Sequence, residues 1–130
     1  MQKIKLSQTH KKILTEHAQK DEPNESCAIL FGKDNTVSEI FLTENIEKSP
    51  VNFTISNDEL IEAYKIAEEK KMEVMGIFHS HPNSEAYPSN TDKKFMQGNP
   101  VVWIIYSGTN EDFRGYTLES DIQEILVEFS

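Results

Sequence analysis

Helical spacing of apolar residues, together with helix-capping residues, predicts three helices in this chain. Residues 8–20 place apolar side chains three and four positions apart and follow Ser7, whose hydroxyl suits a helix cap. A second helix is expected after Ser56, because Ser56 and Glu59 stand at capping-box spacing before an amphipathic run. The apolar face of this second helix comprises Leu60, Ala63, Tyr64 and Ala67. A third, shorter helix is expected to end at Gly98.

Shorter apolar runs, bounded by polar and turn-forming residues, predict strands. The predicted strands cover residues 27–31, 37–42, 53–55, 74–78, 101–106, 113–118 and 122–129. The polar segment 32–35 favours a hairpin between the first two, and the nearly all-apolar run 101–106 favours a central strand buried on both faces. The last run also fits helical spacing, but the alternation of Ile125, Val127 and Phe129 favours a strand. The pattern predicts an α/β fold with a mixed, mostly antiparallel central sheet flanked by helices.

Composition and charge narrow the class of protein. The 130 residues are enough to bury a core, so one domain spanning residues 1–130 is expected. Cys27 is the only cysteine, which excludes an internal disulfide framework, and we expect it to be a small buried residue rather than a regulatory thiol. No apolar run is long enough to span a bilayer, so a cytoplasmic location without a membrane partner is expected. A formal net charge of −9 with dispersed basic residues disfavours nucleic acid as a partner.

Two histidines separated by one residue lie where the strand predicted at 74–78 should end. Alternate side chains of a strand leave on the same face, so His79 and His81 are expected to point the same way and Ser80 the other way. Pro82 lacks the backbone N–H that a ladder needs and should end the strand. The two imidazoles therefore form half of a candidate metal site.

Asp92 is the candidate third ligand. If Ser89 caps the third helix, Asp92 lies on its first turn, and the returning loop is long enough to bring the carboxylate beside the strand end. Two histidines and one aspartate match a catalytic zinc site, which keeps a fourth position open for water. The alternative is that Asp92 belongs only to a capping box with Ser89. His10 and His17 are instead expected on the partly buried face of the first helix.

A hydrolytic zinc site also needs an unligated base. Glu22, Glu25 and Glu85 all stand near predicted strand ends or loops, and spacing alone does not choose among them. Glu25 has the best local case, because it leads directly into the strand predicted at 27–31, whose rigidity would fix its position.

The motifs resemble those of a known family. HSHP at residues 79–82, followed by Pro88, Ser89 and Asp92, is similar to the JAMM signature of the MPN (Mov34/JAB) zinc metalloproteases, HxHP and then PSxxD. The segment 23–32 is similar to the first motif of that family, in which a catalytic glutamate precedes a cysteine and a strand, and this selects Glu25. Ala28 departs from the glycine that the family usually has. The short chain resembles the compact prokaryotic or archaeal branch, and the fold is expected to be the MPN, cytidine-deaminase-like architecture.

The resemblance implies one Zn²⁺ per chain, held by His79, His81 and Asp92, with Glu25 as base and then acid and Ser89 as a donor to the oxyanion. It implies hydrolysis of the amide bond after the C-terminal glycine of a ubiquitin-like modifier or sulfur-carrier protein, including lysine-linked conjugates. Such an isopeptidase would be deubiquitinase-like or desampylase-like. An extended substrate tail is expected to pair with a sheet edge.

Other functions remain as alternatives. A non-catalytic MPN-type module that holds a ubiquitin-like partner is one, although such relatives usually lack a metal ligand and here none is missing. Base deamination is disfavoured because the usual cysteine pair is absent, and a thermolysin-type mechanism is excluded by the lack of HExxH. The sequence leaves both a monomer and a homodimer open.

Overall fold

A computed structural model describes residues 2–130, and three helices and seven strands are assigned in this range. The helices are α1 (Gln8–Asp21), α2 (Asn57–Glu69) and α3 (Asn90–Gly98). The strands are β1 (Lys3–Leu6), β2 (Cys27–Lys33), β3 (Thr36–Thr43), β4 (Glu73–His81), β5 (Val102–Ser107), β6 (Phe113–Leu118) and β7 (Ile122–Phe129). Within residues 2–130, no helix is long and apolar enough to cross a membrane.

The strands form one strongly curved mixed sheet in the order β1-β3-β2-β4-β5-β6-β7. Four neighbouring pairs are antiparallel: β2 with β3, β2 with β4, β5 with β6, and β6 with β7. β4 and β5 are parallel, and so are the pairs that β1 makes with β7 and, at one register position, with β3. The predicted α/β class with a mixed, mostly antiparallel sheet is therefore confirmed, as is the strand at 122–129.

The sheet is covered on both faces, which explains why its central strands are so apolar. One core cluster joins Leu14 of α1 to Phe78 and Ile104 of the sheet. A second cluster on the opposite face joins Ala63 of α2 and Met96 of α3 to strand residues. β5 is buried along its whole length, as the sequence predicts for a central strand buried on both faces. The helices α2 and α3 thus share the face on which the second cluster lies.

The hairpin predicted at 32–35 is present. Asp34 and Asn35 adopt positive φ angles of 50° and 62° between β2 and β3. Asp and Asn tolerate this left-handed conformation better than most residues, and a two-residue turn of this kind matches the twist of the flanking strands. The turn therefore fixes the antiparallel register of β2 and β3.

Three local predictions need correction. Residues 53–55 are not a strand: Phe53 and Ile55 are buried, but they lie in a loop that packs against the second cluster. β1 is absent from the predicted strands, because an apolar alternation over only four residues does not distinguish a strand from an irregular N-terminal segment. Ser56 caps α2 as expected, but the reciprocal half of its capping box is replaced, since Glu59 Oε1 accepts from the backbone N–H of Glu44.

Candidate metal centre

The alternation of side chains at the end of β4 places the two histidines on one face of the sheet. His79 pairs with Cys27 of β2 and Ile105 of β5, whereas His81 reaches the end of the ladder beside Ser107. Ser80 points the other way and accepts a hydrogen bond of 2.9 Å from the backbone N–H of Ser26. The alternation predicted from the HxH spacing is therefore what the strand produces.

The polar side chains at this strand end form a tight cluster. The Nε2 atoms of His79 and His81 lie 3.1 Å apart, and Asp92 Oδ2 lies 3.1 Å from each of them. All three residues are at most 5% exposed. Three potential ligand atoms thus occupy the corners of a nearly equilateral triangle formed by buried residues.

Asp92 reaches the cluster because α3 begins beside it. Ser89 caps the helix, accepting from the backbone N–H of Asp92 at 3.1 Å, and its own N–H donates to Asp92 Oδ2 at 2.9 Å. The cap and the candidate ligand position of Asp92, treated as alternatives from the sequence, are therefore compatible, because Oδ2 accepts from the Ser89 N–H and also faces both imidazoles. Ser89 is exposed, and its hydroxyl oxygen serves the cap while its O–H hydrogen stays available as a donor.

The two imidazoles are held in different ways, because only His81 has a hydrogen-bond partner for its second nitrogen; His79 Nδ1 has none among residues 2–130. His81 Nδ1 lies 2.9 Å from the carbonyl oxygen of Glu85. A carbonyl only accepts, so Nδ1 carries the proton and the lone pair of a neutral ring is on Nε2, inside the cluster. His79 is fully buried and stacks on Phe53 at 4.7 Å, with Trp103 at its edge. Aromatic packing thus fixes one ring and a backbone hydrogen bond fixes the other.

Charge in the cluster is distributed unequally. Burial lowers the pKa of His79, so this ring is a neutral donor at physiological pH. Burial acts to lower the pKa of His81 too, but its hydrogen bonds to Asp92 and to the Glu85 carbonyl outweigh burial and raise that pKa. Burial acts to raise the pKa of Asp92, yet the two imidazoles outweigh it and hold the pKa well below the ordinary value. The cluster therefore contains one carboxylate charge that attracts a cation.

Glu25 lies beside the imidazoles, just before β2. Its carboxylate offers an oxygen that, with the two imidazole nitrogens, forms a set in which all atoms lie within 4.8 Å of one another. Backbone bonds fix its position, since its N–H donates to the Ser49 carbonyl at 2.8 Å and its carbonyl accepts from Asn45 Nδ2 at 3.0 Å.

The carboxylate of Glu25 is nevertheless poorly satisfied. The side chain is 3% exposed, and Oε1 has no hydrogen-bond partner among residues 2–130. Burial, aided by the nearby charges of Asp92 and Glu47 and opposed by His81, raises the pKa of Glu25 to about 8. A buried carboxylate in this state is suited to exchange a proton near neutral pH.

The donor set fits a zinc ion. Three ligand atoms at about 2.0–2.1 Å from a tetrahedral zinc lie roughly 3.3 Å apart, close to the 3.1 Å separations in the cluster. Two neutral imidazoles and one carboxylate are ligands that zinc prefers, and they leave a fourth direction open. Glu25 adjoins this set, since one of its carboxylate oxygens lies within 4.8 Å of the imidazole nitrogens and its Oε1 has no partner among residues 2–130.

The other residues considered from the sequence lie elsewhere. His10 and His17 are half-buried on α1, where His10 completes the Ser7 capping box and His17 Nε2 lies 2.9 Å from the Cys27 carbonyl oxygen. Glu85 contributes its backbone carbonyl rather than its side chain. Cys27 is buried, and burial raises its pKa to about 12, as expected of a structural thiol.

Sequence reasoning missed two residues that hold Glu25 in place. Asn45, in the loop after β3, is 5% exposed and binds the Glu25 carbonyl, but a lone asparagine in a polar loop gives no signal of this role. Ser80 fixes Ser26, the neighbour of Glu25, through the 2.9 Å bond to its N–H and a 3.1 Å bond between the hydroxyl groups. The sequence does indicate that Ser80 faces away from the two histidines, and this was the only signal of its role.

Fold and site together define a JAB-type protein, and comparison with known proteins agrees. The chain matches the family of prokaryotic homologs of the JAB domain over residues 7–119, and it belongs to that family. A desampylase from Pyrococcus furiosus is 39% identical over 105 residues, which cover 79% of this chain and 74% of that protein. A CysO-cysteine peptidase from Mycobacterium tuberculosis is 34% identical over 94 residues, or 70% of this chain and 64% of that protein.

A solved structure supports the same fold. The crystal structure of a JAB1/MPN domain protein from Archaeoglobus fulgidus superposes with a TM-score of 0.63 at 21% identity, covering 95% of each chain. The resemblance to the compact prokaryotic and archaeal JAMM/MPN branch is thereby confirmed.

Proposed function

We propose that this chain is a JAMM-type zinc isopeptidase or peptidase. Its substrate would be a ubiquitin-like modifier or sulfur-carrier protein, cleaved at the amide bond after the C-terminal glycine. The observation that carries the proposal is the buried triangle of His79, His81 and Asp92 with the unpartnered carboxylate of Glu25 beside it. The substrate class is supported by the relatives, which are named a desampylase and a CysO-cysteine peptidase.

In this proposal His79 Nε2, His81 Nε2 and Asp92 Oδ2 hold one Zn²⁺ per chain. When bound, the metal supplies Lewis acidity toward the scissile carbonyl and lowers the pKa of a water molecule. The residues suit this role: His79 stays neutral, Asp92 stays ionised, and His81, whose Nδ1 proton is held by the Glu85 carbonyl, offers the lone pair of Nε2.

Glu25 is proposed as the proton carrier. Its backbone is fixed on both sides, and one of its carboxylate oxygens lies within 4.8 Å of the imidazole nitrogens. A pKa raised to about 8 lets the same group accept a proton from water and return it to the leaving amine within one cycle near neutral pH. Ionised and neutral glutamate are both accessible at little free-energy cost under these conditions.

Ser89 is proposed to stabilise the oxyanion that develops on the scissile carbonyl. Its oxygen is held by the N–H of Asp92, which fixes the hydroxyl group at the rim of the cluster. The remaining O–H is exposed and free to donate to substrate. One such donor is worth about 2.7–4 kcal/mol in comparable sites.

The proposal extends to partners and location. Partners are a ubiquitin-like or sulfur-carrier protein with a C-terminal glycine tail and its lysine-linked conjugates, with no nucleic acid or membrane partner. We place the activity in the cytoplasm, which agrees with a single buried thiol. Residues 1–130 would act as one domain, either as a monomer or as a homodimer.

Cleavage assays with a matched pair of variants test the proposal. The zinc-loaded protein is incubated with ubiquitin-like proteins joined through their C-terminal glycine to lysine or cysteine, and released amine and modifier are measured by mass spectrometry. Wild type should cleave at least one conjugate, Glu25→Gln should bind zinc but not cleave, and Glu62→Gln, which changes an exposed side chain on α2, should cleave normally.

Two results would contradict it. Equal cleavage by wild type and Glu25→Gln would remove Glu25 from the mechanism. Stoichiometric zinc without cleavage of any conjugate, combined with tight binding of a modifier, would favour the non-catalytic binding module.

A further inference from the structure

The loop that follows β4 is held by its carbonyl oxygens at three successive residues. The Ser84 carbonyl accepts from Ser107 Oγ at 2.8 Å, the Glu85 carbonyl accepts from His81 Nδ1 at 2.9 Å, and the Ala86 carbonyl accepts from the hydroxyl of Tyr116 at 2.5 Å. The middle bond is the one that fixes the tautomer and orientation of His81. The two outer bonds therefore determine where the partner of His81 lies.

Both outer donors come from the hairpin formed by β5 and β6. Ser107 is the last residue of β5, and Tyr116 lies in β6. The Ser107 oxygen also accepts from the backbone N–H of Asn110 at 3.0 Å, which directs its O–H toward the loop. Tyr116 is 2% exposed, so its hydroxyl has little access to water as a substitute partner.

The same hairpin also touches the strand end directly. The N–H of Gly108 donates to the His81 carbonyl at 2.9 Å. A side chain at this glycine would place its Cβ only 2.7 Å from the Pro82 carbonyl oxygen, so the close approach requires glycine. The hairpin thus contacts the segment from His81 to Ala86 at its start and along its length.

We propose that Tyr116 and Ser107 are positioning residues that set the metal affinity of the site through His81. They touch neither substrate nor metal, but they hold the loop so that the Glu85 carbonyl faces His81 Nδ1. The loop has no ladder of its own to hold it: Ser84 and Glu85 are exposed and lie outside helices and strands. This inference rests on the proposed metal site.

The physical reason is that an acceptor on the second nitrogen orients a metal-binding histidine, and of the two imidazoles only His81 has such an acceptor among residues 2–130. Loss of that partner typically weakens metal binding about 10–100-fold. Tyr116→Phe keeps the ring in the core but leaves the buried Ala86 carbonyl without its donor, so the loop shifts and the bond to His81 lengthens. Since Tyr116 acts one bond further away than Glu85, we expect affinity near the lower end of that range, about tenfold weaker.

The test is a titration of the metal-free protein with Co²⁺, followed by its visible absorption, which reports ligand geometry without any substrate. Tyr116→Phe and Ser107→Ala should each bind Co²⁺ about tenfold more weakly, with altered band intensities. The matched control is Tyr106→Phe, because Tyr106 is also a buried tyrosine of the sheet but belongs to the cluster on the opposite face. It should bind Co²⁺ as wild type does.

The outcomes separate this inference from the proposed function. If wild type does not bind Co²⁺, the metal site itself is wrong and both proposals fall. If wild type binds and both hairpin variants bind equally well with an unchanged spectrum, the positioning role alone is overturned, even if their melting temperatures drop. If Tyr116→Phe does not fold, Ser107→Ala decides, because its side chain is small and lies at the end of β5.

Discussion

Replacing Glu25 by glutamine is expected to stabilise the metal-free protein while it abolishes cleavage. The carboxylate is buried, and Oε1 lacks a partner among the described residues, so its charged form is disfavoured in the folded state. Burial raises the pKa from the ordinary 4.5 to about 8. A raised pKa of an acid means that the folded state binds the proton more tightly than the unfolded state does. The contribution of Glu25 to the free energy of unfolding is therefore most favourable below pH 4.5, and it falls as the pH rises toward 8.

The size of the effect follows from the same two pKa values. A tenfold change in a protonation equilibrium is worth about 1.4 kcal/mol, so the proton uptake that burial of Glu25 requires on folding would lower the free energy of unfolding by about 1 kcal/mol at pH 5 and about 3 kcal/mol at pH 7. Glutamine stays neutral and avoids this loss. The difference in the free energy of unfolding between the variant and wild type should therefore grow by about 2 kcal/mol from pH 5 to pH 7.

Urea unfolding of chelator-treated protein at several pH values measures this difference directly. Glu85→Gln serves as the control, since its exposed side chain should change the free energy of unfolding by no more than about 0.5 kcal/mol. A stability difference between Glu25→Gln and wild type that stays constant from pH 5 to pH 8 would refute the view that Glu25 is a buried carboxyl with a raised pKa. Loss of stability in the variant at pH 8 would refute it as well.

Three further predictions concern the proposed metal ligands and the helix cap. Ser89→Ala should reduce kcat about 100-fold or more and lower the free energy of unfolding by about 1 kcal/mol. The control Ser56→Ala removes the matching cap of α2 and should lower stability without changing kcat. Equal kcat values for Ser89→Ala and wild type would exclude Ser89 from catalysis. Asp92→Asn should bind far less zinc in elemental analysis, and wild-type zinc content in this variant would remove Asp92 from the ligand set. Chelation of zinc should abolish cleavage and added Zn²⁺ should restore it, so cleavage that survives dialysis against chelator would contradict metal catalysis.

The elements that local patterns specify were predictable from the sequence. α3 follows from Ser89 and Gly98, and the β2–β3 hairpin follows from Asp34 and Asn35, because caps and turns depend on residues within a few positions of each other. The segment 53–55 failed for the opposite reason. Its alternating apolar residues are buried by α2, α3 and the sheet without pairing to a strand, and burial alone does not distinguish the two cases.

The candidate site shows the same division. His79 and His81 share a face because of the period of a strand, so their proximity was predictable, and Asp92 joins them through a cap that the sequence also indicates. The contacts of Tyr116 and Asn45 were not predictable, since each joins segments that are distant in the chain through a backbone carbonyl. Any residue offers a carbonyl, so side-chain identity gives no trace of such a bond.

One oxygen of Asp92 both caps α3 and faces the two imidazoles, and this links the order of a helix end to the occupancy of the site. A cation that draws on Oδ2 also immobilises the first turn of α3, while a frayed first turn withdraws the ligand. Amide hydrogen exchange at Asn90 to Lys93 should therefore slow when the metal is added. Cation binding and the order of the first turn of α3 are thus coupled through a single carboxylate oxygen.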